Sequence, residues 1–442
     1  MPPISTTSHA SAPGKCILLG EHSVVHGHPA LAVSLSTLRI TTTIQTSSTS
    51  TSNPTATVIL PDVCSVVTSL PLTFTCPLSS LPPPSPTKSN PHNLPTPPAF
   101  LPPLFLEALT ALVSKTHKDP DDISPFLPFL TLIAYLHKSK SPQSSISVTI
   151  TSAALPVGSG LGSSAAACVS CSAALLKLLV PLSTPALPHK KLINEWSYLA
   201  ECIVHGTPSG IDNSVSTYGG ACSFVKSDNP GDKPNMFFIN IKKPLDIVIT
   251  NTQVPKSTRK LVKMVGEKKQ NHPNVINPVM TSMGEVCKSF VELIKKEKVD
   301  FDVVNELFTL SHSLLRVLGV SHPALELVLT TTNKYGVASK LTGAGGGGCA
   351  ITLLGATDNS WGLDEATRTA VHNKLSGLRW NWTRFKTFRT VCGGEGVTWG
   401  DGESASATTK NGYRNWYGAT IITGAITGFG VMATLAFLKA KK

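Results

Sequence analysis

At 442 residues the chain is long enough for two domains with real cores, and its formal net charge of +12, with only 14% charged residues, suits anionic ligands. No dense basic patch with interleaved aromatics appears, which excludes a nucleic-acid reading. The ten cysteines and the lack of an apolar N-terminal signal segment fit a reducing, cytoplasmic setting. Cys168 and Cys171 form a C-x-x-C without a second pair or a histidine partner, so they read as small core residues.

Residues 1–8 read as a disordered polar lead. Strands follow at Cys16–Leu19, Ala30–Leu35 and Arg39–Gln45, with Lys15 before the first and Glu21 and His22 after it. Thr46–Asn53 reads as a turn or loose hairpin. Pro77–Pro103 is dense in Pro, Ser and Asn and reads as a long, mobile surface loop without catalytic duty. Helices are expected at Phe105–Lys115 and Phe126–Lys138. Ser145–Ala154 alternates as a strand, and Ala165–Val180 is an Ala/Leu-rich helix. Lys190–His205 is a helix stopped by Gly206. Strands are expected at Ala221–Lys226, Met236–Ile241 and Leu245–Asn251, with a domain boundary near Ser227–Pro234. Helices at Lys256–Lys268, Val279–Lys298 and Phe301–Leu318 precede a glycine loop and a strand ending at Leu354. Helices mixed with antiparallel-looking strands give an α+β class.

Between the strand Ser145–Ala154 and its helix lies the most informative stretch: Gly158, Ser159, Gly160, Leu161, Gly162, Ser163 and Ser164. Glycines let the backbone approach a ligand, and Ser163 or Ser164 caps the helix. The free N–H groups and the positive end of the helix dipole make an anion site, suited to a nucleotide triphosphate. The turn is neither a Walker loop nor a dinucleotide fingerprint. Elsewhere, Gly343, Ala344 and Gly345 open a run of four consecutive glycines (Gly345–Gly348) suited to a loop passing close to a ligand. Glu201 stands in an apolar helical stretch, where a carboxylate needs a partner such as Mg²⁺. Taken alone, Asp212 reads as an ordinary turn or capping residue after Pro-Ser-Gly.

These segments, APGKCILLGEHSVVHGHPALA from Ala12, the Gly158–Ser164 turn and KLTGAGGGGC from Lys340, resemble in order and spacing the motifs of the GHMP kinases. Within that family they most resemble the mevalonate kinases, as does ECIVHGTPSGIDNSVSTYGG from Glu201. The resemblance covers about residues 9–398 and is poor over the proline-rich stretch. It implies an N-terminal domain like that of ribosomal protein S5 (9–228), a ferredoxin-like C-terminal domain (235–398) and a ligand cleft between them. It also implies ATP-dependent phosphorylation of the 5-hydroxyl of mevalonate. The roles implied are Asp212 as base, Lys15 as the cation beside the hydroxyl and on ATP, and residues 158–164 as the triphosphate cradle. Glu201 and a loop serine, Ser164 ahead of Ser163, would hold Mg²⁺. Glu21, His22, Gly343, Ala344 and Gly345 would bind substrate, His26 and His28 could also line the pocket, and Asn251 and Thr252 resemble a region near the ATP and inhibitor site. A homodimer and feedback inhibition by prenyl diphosphates are implied too. A sibling kinase for phosphomevalonate or a sugar, or a non-catalytic regulator, are the alternatives; Lys15, Glu201 and Asp212 are all present, against the regulator.

The resemblance fades near Trp399. Residues 400–415 read as a polar linker. Residues 418–438 then give about 21 residues without a charge, flanked by Trp416, Tyr417 and Lys439, with a G-x-x-x-G at Gly424 and Gly428. A membrane anchor, a helix packed on the body and a disordered tail are the open readings.

Overall fold

The computed structural model describes residues 5–48, 53–88, 95–139, 141–179, 186–226, 234–239, 241 and 243–399. The strands are β1 (Ser5–Leu19), β2 (Ala30–Ser48), β3 (Thr55–Cys64), β4 (Pro71–Pro77), β5 (Ser144–Ser152), β6 (Ala221–Val225), β7 (Asn235–Ile239), β8 (Leu245–Asn251), β9 (Ser339–Thr342), β10 (Cys349–Ala356), β11 (Arg379–Trp380), β12 (Thr383–Arg384), β13 (Lys386–Cys392) and β14 (Thr398–Trp399). The helices are α1 (Pro103–Val113), α2 (Pro120–Ile123), α3 (Leu127–Leu132), α4 (Ser163–Leu179), α5 (Ala186–His205), α6 (Ile211–Tyr218), α7 (Thr258–Asn271), α8 (Pro273–Ile294), α9 (Phe301–Leu318), α10 (Pro323–Asn333) and α11 (Glu365–Ser376). The class is α+β, as the sequence indicates.

One mixed sheet runs in the order β4-β3-β5-β2-β13-β8-β10-β9, with β1 and β6 also on β2. Most neighbours are antiparallel; β3 and β5 are parallel. In β5, Ile146, Val148 and Ile150 are buried and the residues between them are not, the two-residue period of a half-buried strand. The small residues of α4, among them Ala166, Cys171, Ala173 and Ala174, are buried and let the helix lie close to β1, β2 and α5. The main core joins this layer to α8 and α9, and a second core gathers Met280, Leu315, Val328, Leu341 and Leu354.

The two halves of the sheet meet where Cys392 of β13 pairs with Leu35 of β2. After β13 the chain comes back to the first half. Arg39 donates to the carbonyls of Gly396 (2.7 Å) and Ser11 (2.8 Å), Val397 N donates to Thr217 O at 3.1 Å, and β14 pairs with β1 at Ala10 and Ser11.

Four expectations need correction. The polar lead is ordered from Ser5, because Ser8, Ala10 and Ala12 alternate inward and Ser8 Oγ donates to Ala174 O at 2.9 Å. The hairpin expected at Thr46–Asn53 does not begin there, since β2 runs on to Ser48. Strands β3 and β4 and helices α10 and α11 were not foreseen. The proline-rich stretch is packed in its described parts. Leu78 and Leu81 are fully buried, Ser85 Oγ and Tyr135 OH share a hydrogen bond of 2.7 Å, and Trp196 Nε1 donates to Pro95 O at 2.9 Å. Its prolines lack backbone N–H groups and limit regular pairing, which leaves carbonyls such as that of Pro95 free to take such donors.

The apolar segment 418–438, and with it the anchor reading, lies outside the described residues. Among the described residues no helix is long and apolar enough to cross a membrane.

Candidate active site

Lys15 sits on β1 directly beside the first glycine turn. Its backbone N–H donates to Leu161 O at 2.8 Å. Its side chain lies over Gly162, where a Cβ would come within 2.9 Å of Lys15 Cγ. A side chain at 162 would therefore collide with the lysine, and the residue has a positive φ of 73°. The lysine ammonium reaches Asp212 Oδ1 at 3.0 Å. Asp212 lies in the first turn of α6, whose next residue is anchored: buried Asn213 donates to Asn194 Oδ1 at 2.7 Å and to Asn194 O at 3.2 Å. The strand and the helix thus bring the expected base and cation together.

The turn leads straight into α4. Ser163 Oγ accepts from Gly158 N at 3.4 Å, which braces the turn, and Ser159 Oγ donates to Pro156 O at 2.9 Å. Ser164 points elsewhere and donates to Glu201 Oε1. The two serines therefore differ in place: Ser164, the one favoured by the resemblance, adjoins the carboxylate, and Ser163 braces the turn. Glu201 on α5 is buried, with Cys168 Sγ 3.6 Å from Oε1 and His205 Nε2 3.6 Å from Oε2. Burial pushes its carboxyl above the usual range, against the opposing pull of His205 and the Ser164 hydroxyl. A buried carboxylate beside a hydroxyl is an oxygen donor pair of the kind that suits Mg²⁺.

The residues expected on the substrate side form a second group. Glu21 and Lys340 make a buried ion pair, and Glu21 Oε2 has no hydrogen-bond partner among the described residues. Lys340 also donates to Leu341 O at 2.7 Å. His22 Nε2 donates to Ala344 O at 2.8 Å, joining the end of β1 to the second glycine loop. His22 holds a positive φ of 63°, strained for a residue with a side chain. Burial pushes its imidazole below the ordinary histidine range. Gly343 and Gly345 flank Ala344. Gly345 packs on Val320 O, which accepts from Gly346 N at 2.7 Å. His28 packs on Gly284, and His26 lines a separate surface hollow with Lys269 and Asn277. Asn251 Oδ1 accepts from Gln253 N at 2.9 Å, while Thr252 Oγ donates to Gly348 O at 2.8 Å.

The two glycine loops touch. Cys349 Sγ lies 3.9 Å from Ser159 O, and the Lys256 ammonium would meet a Cβ at either Gly160 or Gly343, at 3.7 and 3.4 Å. Sequence reasoning missed Lys256, Lys340 and the brace from Asn194. Lys340 opens a quoted motif and could have been paired with Glu21 as its opposite charge. Lys256, a lone lysine after a proline, carries no signal beyond following Asn251 and Thr252.

Comparison with known proteins bears on the whole arrangement. Residues 129–220 match the GHMP kinases N terminal domain, and residues 290–376 match the GHMP kinases C terminal. Mevalonate kinase of Schizosaccharomyces pombe is 37% identical over 78% of this chain and 82% of its own. Mevalonate kinase of Arabidopsis thaliana is 32% identical over 88% of this chain and 98% of its own. The crystal structure of L. major mevalonate kinase in complex with R-mevalonate shares the fold, with a TM-score of 0.60 at 21% identity over 88% of this chain and 97% of that one. With relatives of that identity spanning most of both chains, and both GHMP domains present, the chain belongs to the mevalonate kinase family of the GHMP kinases.

Proposed function

We propose that the chain transfers the γ-phosphoryl group of ATP to the 5-hydroxyl of mevalonate, giving 5-phosphomevalonate and ADP. The observation that carries this reading is the Lys15–Asp212 pair beside a glycine turn that opens a helix, in a chain whose relatives are mevalonate kinases. A bond forms between the substrate 5-oxygen and the γ-phosphorus, and the bond from that phosphorus to the bridging oxygen breaks. The hydroxyl proton passes to the Asp212 carboxylate. Lys15 stabilises the developing negative charge on the oxygen and keeps Asp212 oriented. The backbone of Gly158, Ser159, Gly160, Leu161, Gly162 and Ser163, at the positive end of α4, cradles the triphosphate.

Glu201 and Ser164 would hold Mg²⁺. Bound there, the ion would neutralise phosphate charge. Glu21, His22, Gly343, Ala344 and Gly345 bind mevalonate, with the unpartnered Glu21 Oε2 as acceptor for a substrate hydroxyl. Residues 9–228 and 235–398 are the two domains of this catalytic unit. The family resemblance supports a homodimer inhibited by prenyl diphosphates. A cytoplasmic kinase body carried by a membrane-inserted tail rests on the sequence of 418–438 alone.

The test is release of ADP from ATP against a panel of mevalonate, 5-phosphomevalonate, galactose and homoserine. Turnover with mevalonate is expected. Preference for another alcohol moves the assignment to a sibling kinase, and no turnover with any removes it.

A further inference from the structure

Lys256 lies in the loop between β8 and α7. That loop is fixed to the second glycine loop: Thr252 N and Oγ both donate to Gly348 O at 2.8 Å, and Gly348 N donates to Val254 O at 3.2 Å. The lysine side chain runs along the glycine backbone. A Cβ at Gly348 would stand 2.5 Å from its Nζ, 2.8 Å from Cε and 2.9 Å from Cδ. Its ammonium also faces Gly343 and Gly160, where a Cβ would stand 3.4 and 3.7 Å from it, so it lies between the two loops. Among the described residues this ammonium has no hydrogen-bond or ion-pair partner. The titratable groups that act on it are Lys15, of like charge, and the Cys349 thiol, which burial pushes up to about 11 and so keeps neutral.

A cation drawn out of water without a counter-charge is costly to hold. Lys15, although paired with Asp212, sets a second positive charge beside the same glycine-lined space, which therefore suits a polyanion. The tip of the first loop, at Gly160, belongs to the N-terminal end of α4, which favours the same charge. The His22–Ala344 contact, by contrast, ties the substrate-side residues to another part of the second loop.

We propose that Lys256 is a second phosphate-binding cation, which with Lys15 holds the terminal phosphates of the nucleotide between the two glycine loops. The inference rests on the phosphoryl-transfer reading and adds a residue to it. Burial and the nearby Lys15 push the Lys256 ammonium below its ordinary range, as expected for a cation awaiting an anion.

The test compares the full chain with Lys256→Met and Lys256→Arg. Binding of ATP, ADP, AMP and inorganic tripolyphosphate is measured by calorimetry, together with KM for ATP and for mevalonate. Removing one charge-assisted contact should weaken ATP by about ten-fold or more. ADP should weaken less and AMP should not change, while Lys256→Arg stays within a few-fold of the unmodified chain. Tripolyphosphate should raise the melting temperature of the unmodified chain and do so much less for Lys256→Met. The nucleotide-free Lys256→Met protein should melt at the same temperature or higher, because an uncompensated charge is gone. A merely structural lysine would lower it. Equal losses for ATP and AMP, unchanged ATP affinity, or a rise confined to the KM for mevalonate each overturn the proposal. If the unmodified chain turns over mevalonate and Lys256→Met matches it in every measurement, only the Lys256 role falls. If the unmodified chain binds no ATP, both readings fall.

Discussion

The ammonium of Lys15 lies 3.0 Å from Asp212 Oδ1, although one residue comes from the first strand and the other from a helix far along the chain. Both are partly open to solvent, so the pair is placed to meet a ligand rather than to stiffen the fold. Asp212→Asn should leave ATP binding nearly intact and lower kcat by roughly a hundred-fold or more, the scale of losing a general base. Lys15→Met should lower it too. The double variant should lose far less than the product of the two, because the residues act as a unit. Turnover of Asp212→Asn within a factor of two of the unmodified chain would reject the base assignment.

Glu201 carries the opposite kind of prediction. Its carboxyl is raised by burial, so the folded protein holds that proton more tightly than the unfolded chain does. Stability from this group is present below the ordinary value of 4.5 and is lost as pH rises through the raised folded value. Glu201→Gln removes that loss. In metal-free buffer the variant should therefore melt at or above the unmodified chain at neutral pH, with the gap shrinking toward pH 4.5. Its activity should fall and be partly rescued by raised Mg²⁺. A variant that melts much lower would mark the carboxylate as structural.

His22 gives a signal on the other side. Burial lowers its pKa, so the folded state binds this proton less readily than the unfolded chain. Stability from the neutral ring is present above the ordinary value of 6.5 and is lost as pH falls below it. His22→Gln should flatten the difference in denaturation midpoint between pH 8 and pH 5.5, and should raise KM for mevalonate more than for ATP. Identical pH dependence in the two proteins would remove the buried neutral ring from the account.

The Trp196–Pro95 hydrogen bond tests the packing of the proline-rich stretch. Trp196→Phe leaves that buried carbonyl without its donor and should cost about 1–3 kcal/mol in denaturant unfolding. Replacing residues 77–103 by a short linker should destabilise more, since Leu78 and Leu81 leave the core. An unchanged midpoint in both variants would return the stretch to the surface.

The site was legible where backbone chemistry is written into the sequence. Glycines at 158, 160 and 162 announce a tight turn because few other residues tolerate their positive φ, and the candidate roles of Lys15, Glu201 and Asp212 follow from the family motifs. Contacts between distant side chains left no such trace. Neither Lys340 against Glu21 nor Asn194 against Asn213 has a local pattern, since each depends on how the sheet and helices assemble. In the fold, β4 was hidden although Leu72, Phe74 and Cys76 alternate inward, because the prolines at its two ends read as loop. Likewise Ser5–Ser8 look like a free polar end until β2 supplies the partner strand. Pairing, unlike helix formation, is decided by residues elsewhere.

The return of the chain to β1 after β13 has a mechanical consequence. Trp399 pairs with Ala10, and its indole donates to Ala173 O at 3.3 Å on α4. The last described residue therefore sits on the half of the molecule that carries Lys15 and the first glycine turn. A pull applied at Trp399 would be met first by its pairing with β1 and its indole contact with α4.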